Sequence, residues 1–161
     1  MQINHILKTN KHTKHIFQNV CAKDQITLPK TDPAAYVINL DDSDGPGTHW
    51  IAVYINQQQR ESNYFDSLAQ SPIPETLPLL NLTDNIKTNT HKLQDHTMVC
   101  GQFTILFIML RAQGKTFKQT IDFLKHPSND QIIHSLFQPI FPTLPFYPNN
   151  INSLDTFDSC K

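Results

Sequence analysis

The chain has little net charge, few cysteines and no long apolar run, and each shortage removes a class of function. Thirteen Lys and Arg stand against fourteen Asp and Glu in 161 residues, a formal charge of -1. The chain as a whole therefore exerts no strong pull on nucleic acid or an anionic lipid surface. Lys8, Lys11 and Lys14, interleaved with His5, His12 and His15, are the local exception and read as the basic face of a helix. The three cysteines, Cys21, Cys100 and Cys160, are odd in number and include no Cys-x-x-Cys pair. That count argues against a secreted disulfide scaffold, a zinc ribbon or a thioredoxin-like site, and fits one reactive thiol. The longest apolar stretch, Phe103 to Leu110, is too short to span a bilayer, and the N-terminus lacks the apolar core of a signal peptide. The expectation is a protein that is neither secreted nor membrane-bound.

What is present is the composition of a folded chain: 39% apolar and 17% charged residues, with Phe, Ile and Leu throughout. Such a length suits one domain over residues 1–161, burying roughly two-thirds of the surface its unfolded chain exposes. Ile3 to Phe17 fits a short amphipathic helix, and Ala34 to Leu40 a buried strand that ends in the turn cluster Asp41-Asp42-Ser43-Asp44-Gly45-Pro46-Gly47. His49 to Ile55 and Asn63 to Asp66 are rich in aromatic and branched residues and flank a polar loop, so they read as an antiparallel hairpin. Antiparallel pairing brings His49, at the start of one strand, to the same sheet edge as Asp66, at the end of the other. After a Pro-rich, partly helical region, Ile86 to Leu93 reads as a further strand with Gln94 at its end. The apolar run after Cys100 reads as a buried helix stopping at Gly114. Phe117 to Leu124 is a second helix, and residues 138–161 form a Pro-rich arm along the surface.

Four residues in this layout carry chemistry together. A cysteine at a helix N-terminus meets partial positive charge and unpaired N–H groups that favour its thiolate, the form that attacks carbonyls. A histidine in reach takes the thiol proton and later returns it to the leaving amine, and a carboxylate on the other ring nitrogen orients the histidine. Cys100, His49 and Asp66 are of these three types. The negative charge that develops on the carbonyl oxygen is met by the Cys100 backbone N–H and a side-chain amide such as Gln94. Each residue also has a plainer reading: Cys100 as a small buried hydrophobe, His49 as a strand-start residue, Asp66 as a turn residue and Gln94 as a solvated one. His91, His96 and Cys100 lack the second close pair that a tetrahedral metal site needs, so no metal is expected.

Gly47-Thr48-His49-Trp50, Tyr64-Phe65-Asp66-Ser67, Gln94 and Cys100-Gly101-Gln102-Phe103, in that order, resemble the adenain family of viral cysteine proteases. Tyr36 to Ser43 is similar to the corresponding stretch in proteases of virophages and Polinton-type elements, and the resemblance covers roughly residues 15–125. It extends to the Ulp-type proteases that process ubiquitin-like modifiers. It implies an α+β, papain-like fold, with a central mixed β-sheet packed against a buried helix that bears the catalytic cysteine. It also implies cleavage after small residues, with Trp50 covering a narrow substrate channel, and capsid or core precursors as substrates inside the virion or its host cell. Trp50 reads equally as a large core residue. Adenoviral members carry Glu where this chain has Asp66 and use DNA and a viral peptide as activators. No cofactor is expected here, neither activator follows from these residues, and a monomer is expected. A deconjugase of ubiquitin-like proteins and a capsid-binding module without activity are the alternatives.

Overall fold

The computed structural model describes residues 2–95 and 99–125, together with Ile133, Ser135 and Phe137. The expected arm at residues 138–161, with Cys160, lies outside the described residues, as does His96. Five strands, β1 (Phe17–Ala22), β2 (Ala34–Asn39), β3 (Trp50–Asn56), β4 (Glu61–Phe65) and β5 (Asn85–Thr88), form one sheet in sequence order. The two outer pairings are parallel and the two inner ones antiparallel, so the sheet is mixed. The α-helices among the described elements are α1 (Gln2–Thr9), α2 (Leu77–Leu80), α3 (Cys100–Ala112) and α4 (Phe117–Leu124), with short 3-10 turns at Lys23–Gln25 and Pro74–Thr76. The architecture is the expected α+β arrangement, with the helix that begins at Cys100 packed on the sheet.

The central strands read as continuous apolar runs because both of their faces are covered. Trp50, Ala52 and Tyr54 of β3, with Ala35 and Val37 of β2 and Phe65 of β4, join the core that holds α1, α3 and α4. Ile51, Val53 and Ile55 alternate with them and meet Tyr36, Ile38 and Tyr64 beneath Leu79 and Leu80 of α2. Within the first core Phe107 of α3 stacks on Phe65, ring centroids 4.5 Å apart, and presents its edge to Phe117 of α4. The sheet thus separates the two described cysteines, with Cys100 in the first core and Cys21 in the second.

Two expected boundaries shift. The N-terminal helix ends at Thr9 rather than continuing to Phe17, because Thr13 Oγ1 donates to Leu7 O and His12 N–H donates to Asn10 Oδ1. These side chains satisfy backbone groups that another helical turn would have paired. Phe17 instead begins β1, and of the three lysines only Lys8 lies on the helix, so the expected basic helix face is reduced to one residue. The strand expected over Ile86 to Leu93 stops at Thr88.

α3 ends as its sequence predicts. Gly114 has φ +84, its N–H donates to Arg111 O, and the Lys115 N–H reaches back to Leu110 O at 3.1 Å, a Schellman closure. Thr116 then caps α4 reciprocally with Gln119. A Cβ at residue 114 would meet nothing within 4 Å, so the cost of Gly114→Ala is the left-handed backbone alone. Urea unfolding of Gly114→Ala should show a loss of about 1 kcal/mol with an unchanged m-value.

Candidate active site

His49 sits one residue before β3 and Asp66 one residue after β4, and the register that pairs Ala52 with Phe65 brings them to one edge of the sheet. His49 Nε2 lies 2.6 Å from Asp66 Oδ1. The carboxylate is fully buried and the imidazole side chain 13% exposed, so the pair is held out of bulk solvent. The turn before His49 is shaped by Asp41, whose carboxylate accepts from Gly47 N–H and from Thr48 Oγ1, each at 2.9 Å. Gly47 supplies a φ of 82 in that turn, and Leu40 N–H closes on His49 O. The aspartate and glycine that mark a turn in the sequence therefore set where the histidine enters the sheet.

Asp66 is held from several sides. Its Oδ1 also accepts from Leu68 N–H at 2.8 Å. Its backbone is paired by Asn89, whose Oδ1 accepts from Asp66 N–H at 3.0 Å and whose Nδ2 donates to Asp66 O at 2.6 Å. This amide side chain continues the β4–β5 ladder one step past the end of β5. Ser67 O accepts from Leu93 N–H and Gln94 N–H at 2.8 and 3.0 Å. Ser67 Oγ donates to Gln94 Oε1 at 2.8 Å. Gln94 is buried in a loop docked on Ser67, rather than at the end of a strand. Asn89 and Ser67 were not legible as site residues, since their partners lie 23 and 27 residues away and each type alone signals only a turn.

Cys100 is the first residue of α3 and 1% exposed. The following residue is a glycine for a steric reason. A Cβ on Gly101 would lie 3.0 Å from Ile3 Cδ1 and 4.0 Å from Trp50 Cδ1. That close approach sets α1, the first turn of α3 and the start of β3 against one another. Trp50 is buried in the core that also contains Cys100. The structure brings His49 and Asp66 into contact, joins Gln94 to the residue after Asp66, and places Cys100 at a helix start.

The family model described as "Ulp1 protease family, C-terminal catalytic domain" matches residues 2–90, a span that contains His49 and Asp66 and ends before Gln94 and Cys100. The comparison with curated proteins finds no match. Among solved structures the chain is similar to an ASFV protease, at 19% identity and TM-score 0.46, covering 63% of this chain and 42% of that one. It is also similar to the SUMO protease Ulp1, at 17% identity and TM-score 0.41, covering 65% of this chain and 55% of that one. A de-sumoylating protease matches at 19% identity and TM-score 0.41, covering 68% and 51%. The chain thus spans about half the length of these structures, or less.

Proposed function

The chain belongs to the Ulp1 protease family, and from that premise we propose that it is a thiol endopeptidase in which Cys100 is the nucleophile, His49 its base, Asp66 the residue that orients the base and Gln94 an oxyanion donor. The observation that carries this reading is the buried 2.6 Å contact between His49 and Asp66. Trp50, the residue after His49 and the first of β3, shares one buried core with Cys100. With Nε2 committed to the carboxylate, Nδ1 is the ring nitrogen that exchanges a proton with the thiol.

The thiol proton passes to His49 and the thiolate attacks the carbonyl carbon. The tetrahedral oxyanion is met by the Cys100 N–H and the Gln94 amide. Collapse expels the amine, which takes the proton back from His49, and leaves a thioester. Water, deprotonated by the same imidazole, then attacks the thioester, releasing the acid and restoring the thiol. Asp66 keeps Nε2 protonated and the ring in place through both halves. Side chains and one backbone N–H carry this scheme, and no cofactor enters it.

Cys100 is buried, and a narrow approach to its thiol, with Trp50 as one wall, is proposed as what favours glycine before the scissile bond. The proposed substrates are capsid or core precursor polypeptides, cut by a monomer inside the assembling particle; the resemblance of Tyr36 to Ser43 and of the quartet supports this choice. Family membership supports a second reading, removal of a ubiquitin-like modifier. A folded modifier ending in Gly-Gly, cleaved far faster than a short peptide with the same ending, would favour the second reading, and equal rates the first.

The founding test is mass mapping after exposure to a glycine-terminated electrophilic peptide at neutral pH. One adduct is expected, at Cys100, and none in Cys100→Ala. Cys21 should stay silent, since burial, reinforced by the charge of Asp24, pushes its thiol up to about 11, and it lies on the opposite face of the sheet. Labelling at Cys21 instead, or equal labelling of Cys100→Ala, would sink the proposal.

A further inference from the structure

An amide helps an oxyanion only with its N–H₂ end turned toward it, and a carboxamide is nearly symmetrical in shape, so packing alone does not choose between its two ends. In this molecule the amide is held by one neighbouring hydroxyl. Ser67 is fully buried, and its hydroxyl donates to Gln94 Oε1 at 2.8 Å. With the hydroxyl donating to Oε1, that oxygen faces Ser67 and Nε2 is the opposite end of the group. The loop itself is held separately, through Leu93 N–H and Gln94 N–H on the backbone oxygen of Ser67, and through the Asn89 amide on the backbone of Asp66. The hydroxyl is therefore not needed to dock the loop.

We propose that Ser67 is a positioning residue for the reaction: its hydroxyl holds the Gln94 amide with Oε1 toward Ser67 and Nε2 as the end that meets the oxyanion, and so couples the residue after the catalytic carboxylate to the oxyanion site. This rests on the reading of Gln94 as an oxyanion donor. Through its side-chain oxygen and its backbone oxygen, Ser67 binds one glutamine twice, at its side-chain Oε1 and at its backbone N–H. Residues 66 and 67 thus serve the two charged species of the transition state, Asp66 the imidazolium and Ser67, through Gln94, the oxyanion.

The test compares two reactions of the same thiol. Alkylation by iodoacetamide is a direct displacement with no oxyanion, whereas acylation by a glycine-terminated peptide ester passes through one. Gln94→Ala is expected to slow acylation about 100-fold and leave alkylation of Cys100 unchanged. Ser67→Ala is expected to slow acylation about tenfold, in kcat rather than KM, with alkylation again unchanged. The double variant should be no slower than Gln94→Ala alone, because the hydroxyl acts only through that amide. Three results would overturn the role of Ser67 while Gln94→Ala keeps its effect: an unchanged acylation rate in Ser67→Ala, alkylation slowed as much as acylation, or additive losses in the double variant. If Gln94→Ala itself acylates at the wild-type rate, the oxyanion assignment fails first and the role of Ser67 falls with it. Gln94→Glu gives an independent check, since a carboxylate still accepts from Ser67 but offers no N–H; it should acylate as slowly as Gln94→Ala, and a wild-type rate would overturn the proposal.

Discussion

His49→Ala is expected to slow acylation of Cys100 by about 10⁶-fold, the scale on which loss of the base acts in a nucleophile–base–carboxylate unit. The rate is read as single-turnover release from a glycine-terminated ester. Asp66→Ala should also slow it, by a smaller factor, because the imidazole remains but loses the carboxylate that fixes its tautomer. The double variant should be no slower than His49→Ala. Asp66 touches the reaction only through Nε2 of His49, at 2.6 Å, so once the ring is gone its carboxylate has nothing left to orient. Such non-additivity is the mark of residues acting as one unit. A double variant far slower than His49→Ala would mean that Asp66 supports the site by another route, such as the contact of its carboxylate with Leu68 N–H that shapes the turn. A wild-type rate in His49→Ala would remove the base assignment altogether.

The parts of this site that were legible in the sequence are those whose signals are local. The hairpin was readable because β3 and β4 are runs of aromatic and branched residues on either side of a polar loop, and antiparallel register then does the geometry. The buried helix was readable from an apolar run bounded by Gly114, and α4 spans the residues expected, Phe117–Leu124. β1 was not readable, since only Phe17 and Cys21 of its six residues are buried and an edge strand with polar Gln18 and Asn19 inside it has no clear period. β5 was drawn too long for a related reason. Asn89 looks like one more polar strand residue, but its side chain turns to pair with the Asp66 backbone, and that contact ends the strand. Long-range polar pairing leaves no period in a sequence.

The largest stability loss is expected at the other end of the Cys100 helix, from Glu61→Ala. Arg111, in the last turn of α3, is 5% exposed; its guanidinium donates to Glu61 Oε1 at 2.8 Å and to Lys115 O, and it stacks over the Tyr54 ring at 4.6 Å. Glu61 opens β4 and also accepts from Lys87 of β5 and from Asn63 Nδ2 at 3.0 Å. Removing Glu61 leaves a buried cation with its charge uncompensated, a loss of about 3–5 kcal/mol. On a domain of this size that lowers Tm by about 10 °C or more. Arg111→Met should cost less, because Glu61 keeps Lys87 and Asn63. The pH dependence has a definite sign. Burial alone would raise the Glu61 pKa, but the hydrogen bonds from Lys87 and Asn63 and the charges of Arg111 and Lys87 outweigh it and hold the carboxyl below its usual value. A depressed carboxylate contributes stability that is fully present above its unfolded pKa and is lost as pH falls through the lowered folded value. Wild type should therefore lose stability on the acid side of the ordinary carboxylate range, and Glu61→Ala should show a shallower acid limb. Parallel limbs in urea unfolding across that range would mean that Glu61 contributes nothing. Because α3 runs thirteen residues from Cys100 to Ala112, roughly 20 Å, this ion pair and the Gly101 contact fasten one rigid element at opposite ends. Glu61→Ala should accordingly slow acylation at temperatures where the chain is still folded, through a loosened helix, while His49 and Asp66 stay paired.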